Sequence, residues 1–470
     1  MRSTAAVLVL AAASLLGAER HEAFAEGAAT AKALDPKAGG EKLYEAKSAD
    51  GLVYFWRGPK HYDAAKGVGL TVILHGSGGT HQWGFANIDK ATFRPDDVVI
   101  SPDGTTPGAN GTFLFMGEPK DAKRLHALLE EVKKAFKVRG TYLYGHSQGS
   151  FFSVYYAGEY PEDVDGVVAH ASGIWNWSKL GKAGHHQAII LMHGTQDPVV
   201  PYVQSEGCFK SLVDAGYPMA RLYPLEWWNH WPAELNSAGG TPHTSQELAW
   251  VEGMTTKSPD RLEACLDVMA DVKDKVEHDW GGLWSLAKHA EEAPFAKDAT
   301  KARARKAVDV VEALAKKHAQ ALSDVKPGSP ADGKPWMAHL PVFLRQFAGV
   351  PGCTELAAAW KDTLEEHEKR GAAHFEKWWA KREKKDVADA FEEGVAAVVE
   401  GFLWCRTQDK FTEGQMGPAL QVTLKAWQKE AKKKLSKKAL KDFAVVESLE
   451  SVWKKGWDAY ADICKTAGDT

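Results

Sequence analysis

Four short segments carry residue types able to break an acyl bond. Gly145-His146-Ser147-Gln148-Gly149 sets a serine between two glycines, directly after the apolar run Tyr142-Leu143-Tyr144 and ahead of the helical stretch Ser150–Tyr160. A serine is made nucleophilic on a strand-to-helix turn so tight that the residues flanking it must be nearly free of side chain. The helix behind it aims its first amides at the reacting atoms. A GxSxG pattern alone recurs by chance in long chains. The strand before it and the helix after it single out Ser147 as the expected nucleophile, against a surface-turn serine.

His75-Gly76-Ser77-Gly78-Gly79 closes the run Leu70–Leu74. Glycines let backbone approach a substrate closely and turn N–H groups toward a developing oxyanion. The expected donors are the backbone N–H groups of Ser77 and Gln148; a plain glycine turn is the alternative. The run Ile189–Met192 leads into His193-Gly194-Thr195-Gln196-Asp197-Pro198, which puts Asp197 in the loop after a strand, where an orienting acid belongs. Asp163 and Asp165 compete for that role, but both precede a strand and so fall at the wrong end of the sheet. The run Arg221–Leu225 is followed by Trp227-Trp228-Asn229-His230-Trp231-Pro232, and His230 is the expected base, with His243 the alternative. The acid and the histidine then follow the serine in chain order, as they do in the fold known to carry such a nucleophile turn. His185 and His186 precede a strand, and His193 precedes the acid. No histidine pair has HExxH spacing, so no metal is expected, and the chemistry needs no cofactor.

These residues need a scaffold. Between about Tyr44 and Gly253 short β-branched runs alternate with helical stretches: Leu70–Leu74, Val98–Ile100, Tyr142–Tyr144, Val167–Ala169 and Ile189–Met192 are strands, and Asp121–Phe136 is an amphipathic helix with Gly140 just beyond its end. Continuous apolar strands separated by helices predict a mostly parallel sheet flanked by helices. After about Thr256 the rhythm changes to long helical periods, as in Ala302–Ala321, Thr354–Arg370, Lys385–Leu403 and Pro418–Leu435. The expected organisation is a signal peptide over residues 1–25, a linker to 45, an α/β domain over 46–255 and an all-α domain over 256–470. A Pro- and Gly-rich stretch over 326–335 divides the last into two lobes.

Composition excludes several classes. With 470 residues, a net charge of −4, 44% hydrophobic and 26% charged residues, the chain is globular and carries no strong basic signature for nucleic acid. No apolar run after the N-terminus reaches the length of a membrane span. The runs Lys432–Lys434 and Lys437-Lys438 read as a solvated helix face rather than a polyanion site. Ala5–Ala18 is apolar and Ala23-Phe24-Ala25 supplies small residues for a signal peptidase, so the chain is expected to be exported to a periplasmic or extracellular space. Of five cysteines, Cys265, Cys353, Cys405 and Cys464 could form two disulfides there, or remain buried thiols. None has CxxC spacing, which argues against a zinc or dithiol redox centre. Oligomeric state is not encoded legibly.

The set HGSGG, GHSQG, HGTQD and NHWP, in that order, resembles the α/β-hydrolase superfamily. Over roughly residues 50–253 it is similar to esterases related to dienelactone hydrolases, feruloyl esterases and polyhydroxybutyrate depolymerases. The resemblance implies a triad of Ser147, Asp197 and His230, oxyanion donors at Ser77 and Gln148, and acyl transfer through an acyl-enzyme. A dienelactone hydrolase would carry cysteine in place of Ser147, and the helical half has no counterpart in that pattern. Trp83, Trp175, Trp177, Trp227, Trp228 and Trp231 crowd the expected site loops; of these Trp83, Trp175 and Trp228 are the expected substrate-binding residues, for an apolar, aromatic or sugar group. The expected substrate is a small-molecule or polymer-borne carboxylic ester. Peptide or thioester cleavage on the same triad is the enzymatic alternative. A scaffold protein working through its helical half, with Trp378-Trp379 as a partner surface, is the non-enzymatic one.

Overall fold

The computed structural model describes residues 30–38, 40, 42–88, 94–194, 197, 199–225, 230, 242–271, 278–323, 343–359, 377–378, 380–381, 384–404 and 426–440. The expected signal segment, Trp228 and the 326–335 stretch lie outside them. Nine strands form one sheet: β1 (Thr30–Ala31), β2 (Leu43–Lys47), β3 (Val53–Arg57), β4 (Val68–Leu74), β5 (Asp97–Pro102), β8 (Val138–His146), β9 (Gly166–His170), β10 (Ala188–Gly194) and β11 (Met219–Leu225). Their spatial order is β1-β2-β3-β5-β4-β8-β9-β10-β11, while β6 (Thr106–Pro107) and β7 (Phe113–Leu114) make a separate hairpin. Every pairing in the large sheet is parallel except those β3 makes with β2 and β5.

The strands read from apolar runs are present, each extended by one or more residues. β4, β5, β9 and β10 are buried along their whole length, which is why their sequences are continuous rather than alternating. β11, at the sheet's edge, is only partly covered. The one polar interior residue of β4, Thr71, donates its hydroxyl to Asp97 at 2.8 Å. The helix expected at Asp121 begins at Pro119, where proline suits the first turn, and buries Leu125, Leu128, Leu129 and Val132 as its spacing requires. Gly140 does not cap that helix. It lies inside β8 opposite Gly69, next to a register shift in which Val68 pairs with Val138 and Arg139 is the extra residue of a β-bulge.

The chain divides into two compact units. The first comprises residues up to Gly194, Gln204–Asp271 and His289–Lys301; it continues past the change of rhythm at Thr256. Its helices Pro242–Thr255 and Pro259–Ala270 follow β11. The second comprises Thr195–Val203, Val272–Lys288 and Ala302–Thr470, and beyond residue 270 all regular elements among the described residues are helices. Inside it Phe343 and Phe347 pack on His318, Trp280 stacks on Phe347, and Arg345 lies over the ring of Tyr202 at 5.0 Å. Trp378 is buried with its indole N–H on Ala390 O at 2.9 Å, a packing residue; Trp379 is outside the described residues. Cys265 and Cys353 are buried free thiols, as is Cys208, so the two-disulfide arrangement is not the one adopted; Cys405 and Cys464 lie outside the described residues.

At the amino ends of the central strands an ion cluster ties the sheet to the helices that follow it. Glu252 is fully buried and meets Arg94 at 2.6 Å, Arg261 at 2.8 Å and Arg139 at 3.4 Å, while Arg94 also bonds Asp97 at 2.8 Å. Burial alone would raise the Glu252 carboxyl; the guanidiniums of Arg94, Arg261 and Arg139 outweigh it and hold it well below the usual glutamate range. Its stabilising contribution is therefore complete above that range and is lost as pH falls through it toward the depressed value. Removing one partner of a buried ion pair costs about 3–5 kcal/mol. Glu252→Gln is expected to lower the melting temperature at pH 7 by roughly 10 °C. An unchanged melting curve by circular dichroism would show that the cluster contributes nothing.

Candidate active site

The carboxyl ends of β4 and β8 lie side by side, with Ile73 opposite Tyr144 and Leu74 opposite Gly145. β4 sits between β5 and β8, so the chain leaves it toward one flank and leaves β8 toward the other, which makes this a topological switch point of the sheet. Ser147 stands at that point, between β8 and the helix Gln148–Glu159, with φ 52° and ψ −123°. Such a backbone conformation costs a non-glycine residue roughly 1–3 kcal/mol and persists only where its surroundings over-determine it. Here they do. A Cβ on Gly145 would stand 2.4 Å from Gly149 O and Ser153 Oγ, and a Cβ on Gly149 would stand 2.4 Å from Leu74 O. The Ser147 N–H donates to His170 O at 2.9 Å on the neighbouring strand.

The glycine loop after β4 abuts this turn: a Cβ on Gly76 would lie 3.2 Å from Ser147 Cβ. Gly78 N–H donates to Phe113 O and Gly79 N–H to Gly76 O, while the Ser77 N–H has no acceptor among the described residues. His75 braces the loop from below. Its Nε2 accepts the Gly104 N–H at 3.0 Å, which leaves Nδ1 as the donor to Gly76 O at 2.7 Å. Gln148 is the first residue of its helix, and its main-chain N–H is one of the donors a helix start leaves without an intrahelical acceptor. Its side-chain oxygen takes the Phe115 N–H at 3.0 Å and pins the turn to the segment after β7.

His230 is 2% exposed, and its ring centre lies 4.8 Å from that of His146, the residue before Ser147. His243, the alternative base, meets the hydroxyl of Tyr223 at 3.2 Å. Asp197 is fully buried and accepts the N–H groups of Val199 and Val200 at 2.7 and 2.8 Å, a turn that fixes its carboxylate. The competing carboxylates are engaged elsewhere. Asp163 binds Lys133, His126 and Tyr156, and Asp165 takes the Thr141 N–H near the start of β8. His126, Glu130 and Asp163 sit close enough to hold a cation, but both oxygens of Asp163 are already occupied by those partners.

Among the tryptophans, Trp83 is buried and stacks flat on His146 at 5.2 Å, backing the turn from within the fold. Trp175 is half-buried, between Phe151 and Tyr155 of the Ser147 helix and the ring of Trp177. A pair that no linear pattern reveals adjoins Ser147: His146 Nδ1 and His170 Nδ1 are 3.2 Å apart, and the Tyr144 hydroxyl is 3.2 Å from the latter. Burial pushes the Tyr144 phenol far above its ordinary value, so it stays protonated and can donate. The signal for this pair was His170 ending its strand in register with His146.

Residues 117–219 match the model of a family described as phospholipase/carboxylesterase; that span holds Ser147 and Asp197 and stops short of His230. No curated protein matches the chain. Solved structures similar to it include a thermostable esterase, at 18% identity and a TM-score of 0.33, with 48% of this chain and 62% of that one covered. This chain thus spans under two thirds of that relative's length. A carboxylesterase from Bacillus cereus is 19% identical, TM-score 0.33, with 43% and 94% covered. The feruloyl esterase module of Clostridium thermocellum, in complex with sinapinate, is 11% identical, TM-score 0.33, with 45% and 92% covered. The strand order is that of a mostly parallel α/β-hydrolase-like sheet flanked by helices, with further helices in the C-terminal region, and the family match lies within that sheet.

The tight backbone approach predicts the outcome of one methyl group. Gly149→Ala is expected to destabilise the protein by about 1–3 kcal/mol through overpacking and to abolish esterase turnover, because Leu74 O has no flexible atom to yield. An alanine variant with wild-type melting and turnover would show that the turn is not held by this contact.

Proposed function

We propose, from the carboxylesterase-type α/β-hydrolase fold, that the chain is a serine hydrolase that cleaves a carboxylic ester with Ser147, His230 and Asp197. The observation that carries this reading is the strained backbone of Ser147 at the head of its helix, with the Gln148 and Ser77 N–H groups free of an acceptor among the described residues. His230 takes the proton of Ser147 Oγ as the oxygen attacks the ester carbonyl carbon. The N–H groups of Ser77 and Gln148 receive the oxyanion, each contributing on the order of 3 kcal/mol. The ester C–O bond then breaks, and the alcohol leaves with the proton held by His230. Water repeats the sequence on the acyl-enzyme and releases the acid. Asp197 holds the imidazole in the tautomer that leaves a lone pair facing serine.

The half-buried Trp175 supports a role in receiving the substrate, and Trp83 supports the site from behind. The apolar stretch Ala5–Ala18 supports export. None of the helices among the described residues is long and apolar enough to cross a membrane. Ser147→Ala is expected to lower hydrolysis of p-nitrophenyl acetate by roughly 10⁴-fold or more while the melting temperature stays within a few degrees of wild type. Retention of more than about a few per cent of turnover would rule out Ser147 as the nucleophile.

A further inference from the structure

The loop that carries Asp197 groups with the helical segments: Thr195–Val203 belongs to the second compact unit, together with Val272–Lys288 and Ala302–Thr470. One side chain of that unit grips it. Arg345 is half-buried on a helical turn over 343–346, and its guanidinium lies over the ring of Tyr202 at 5.0 Å. Tyr202 is 1% exposed. A cation within about 6 Å of a ring centre is attracted to its face, more strongly where the pair is withdrawn from water. The turn that bears Arg345 is itself fixed. Phe343 and Phe347, on either side of it, are fully buried and pack on His318, and Trp280 stacks on Phe347. Just beyond them the backbone passes so close to Gly281 that a Cβ there would stand 2.6 Å from Ala348 O. Arg345 therefore reaches Tyr202 from a rigid base.

From Tyr202 the chain returns to the carboxylate in a few stiff steps. Pro201 precedes the tyrosine, and its ring fixes φ, so a shift of Tyr202 passes back along the backbone with little to absorb it. Val200, next in line, is buried and donates its N–H to Asp197 Oδ1 at 2.8 Å. The Val199 N–H reaches the same oxygen at 2.7 Å. An acid that orients an imidazole is effective only while its own oxygens stay in place. We propose that Arg345 is a positioning residue for the catalytic acid: by clamping Tyr202 it holds the Val199–Val200 turn, and with it the carboxylate of Asp197. The helical unit thereby takes part in hydrolysis without supplying a group that touches the substrate. This inference rests on the serine-esterase reading above, with Asp197 as its acid.

The test is kinetic, on the full chain with p-nitrophenyl acetate, with circular dichroism to show that each variant is folded. Arg345→Gln keeps much of the side chain and removes its charge. It is expected to lower kcat roughly five- to fiftyfold while KM stays within about twofold of wild type. Arg345→Lys, which restores a cation over the ring, is expected to recover most of that loss. Tyr202→Leu is expected to lose as much as Arg345→Gln, and the double variant no more than either alone, because both break the same link. Asp197→Asn, measured alongside, is expected to lose on the order of 10⁴-fold in kcat. Wild-type kcat in Arg345→Gln, no recovery in Arg345→Lys, or losses that multiply in the double variant would each overturn the clamp. With Asp197→Asn inactive, any of these results leaves the triad standing. Wild-type turnover in Asp197→Asn would instead overturn the triad, and the clamp would fall with it.

Discussion

The close approach of two parallel strand ends is the constraint on which the site depends. β4 and β8 run in register to Leu74 and Gly145, and the turn after β8 has to pass over the last carbonyls of β4 with no room for a side chain. Gly149 against Leu74 O and Gly145 against Gly149 O force the backbone between them into the conformation that Ser147 adopts. Everything with chemical consequence follows from that approach. It brings Gly76 against Ser147 and stands the helix start beside the glycine loop.

Strain of this kind persists only if the layers beneath it do not give way. Beneath the turn, His146 is clasped by the flat ring of Trp83, by His170 and by the neighbouring His230. The loop after β4 is braced by His75 and by the β6–β7 hairpin through Phe113. At the opposite end of the strands the Glu252 cluster clamps the start of the sheet to the helices that follow β11. The two ends use different physics. The reactive end relies on steric exclusion and short neutral hydrogen bonds. The far end relies on buried charge, whose desolvation penalty is offset only because three guanidiniums share one carboxylate.

Much of this was legible in the sequence, for identifiable reasons. Strands buried on both faces are continuous apolar runs, so Leu70–Leu74, Val98–Ile100 and Ile189–Met192 announce themselves. The glycine pairs around Ser147 and in residues 76–79 are legible because no other residue fits a turn that close. Other parts were not. β2 and β3 alternate weakly and are joined through Ser48–Leu52, so their antiparallel pairing has no strong local signal. Gly140 looked like a helix stop because its place beside a bulge depends on pairing with Gly69 of another strand. The His146–His170 contact depends on strand neighbours that no linear pattern reveals, and the Glu252 cluster joins residues more than 150 positions apart in sequence. Burial of Cys265 and Cys353 as free thiols is likewise a matter of tertiary packing, not spacing.

The central claim is that the backbone around Ser147 makes this one serine reactive. A fluorophosphonate probe reports that property without reference to any substrate. The account predicts stoichiometric labelling of the folded protein at a single residue, mapped by mass spectrometry to the peptide bearing Ser147, and loss of labelling when the protein is unfolded before exposure. Labelling at another serine, or folded protein that remains unlabelled at Ser147 after prolonged exposure, would contradict it.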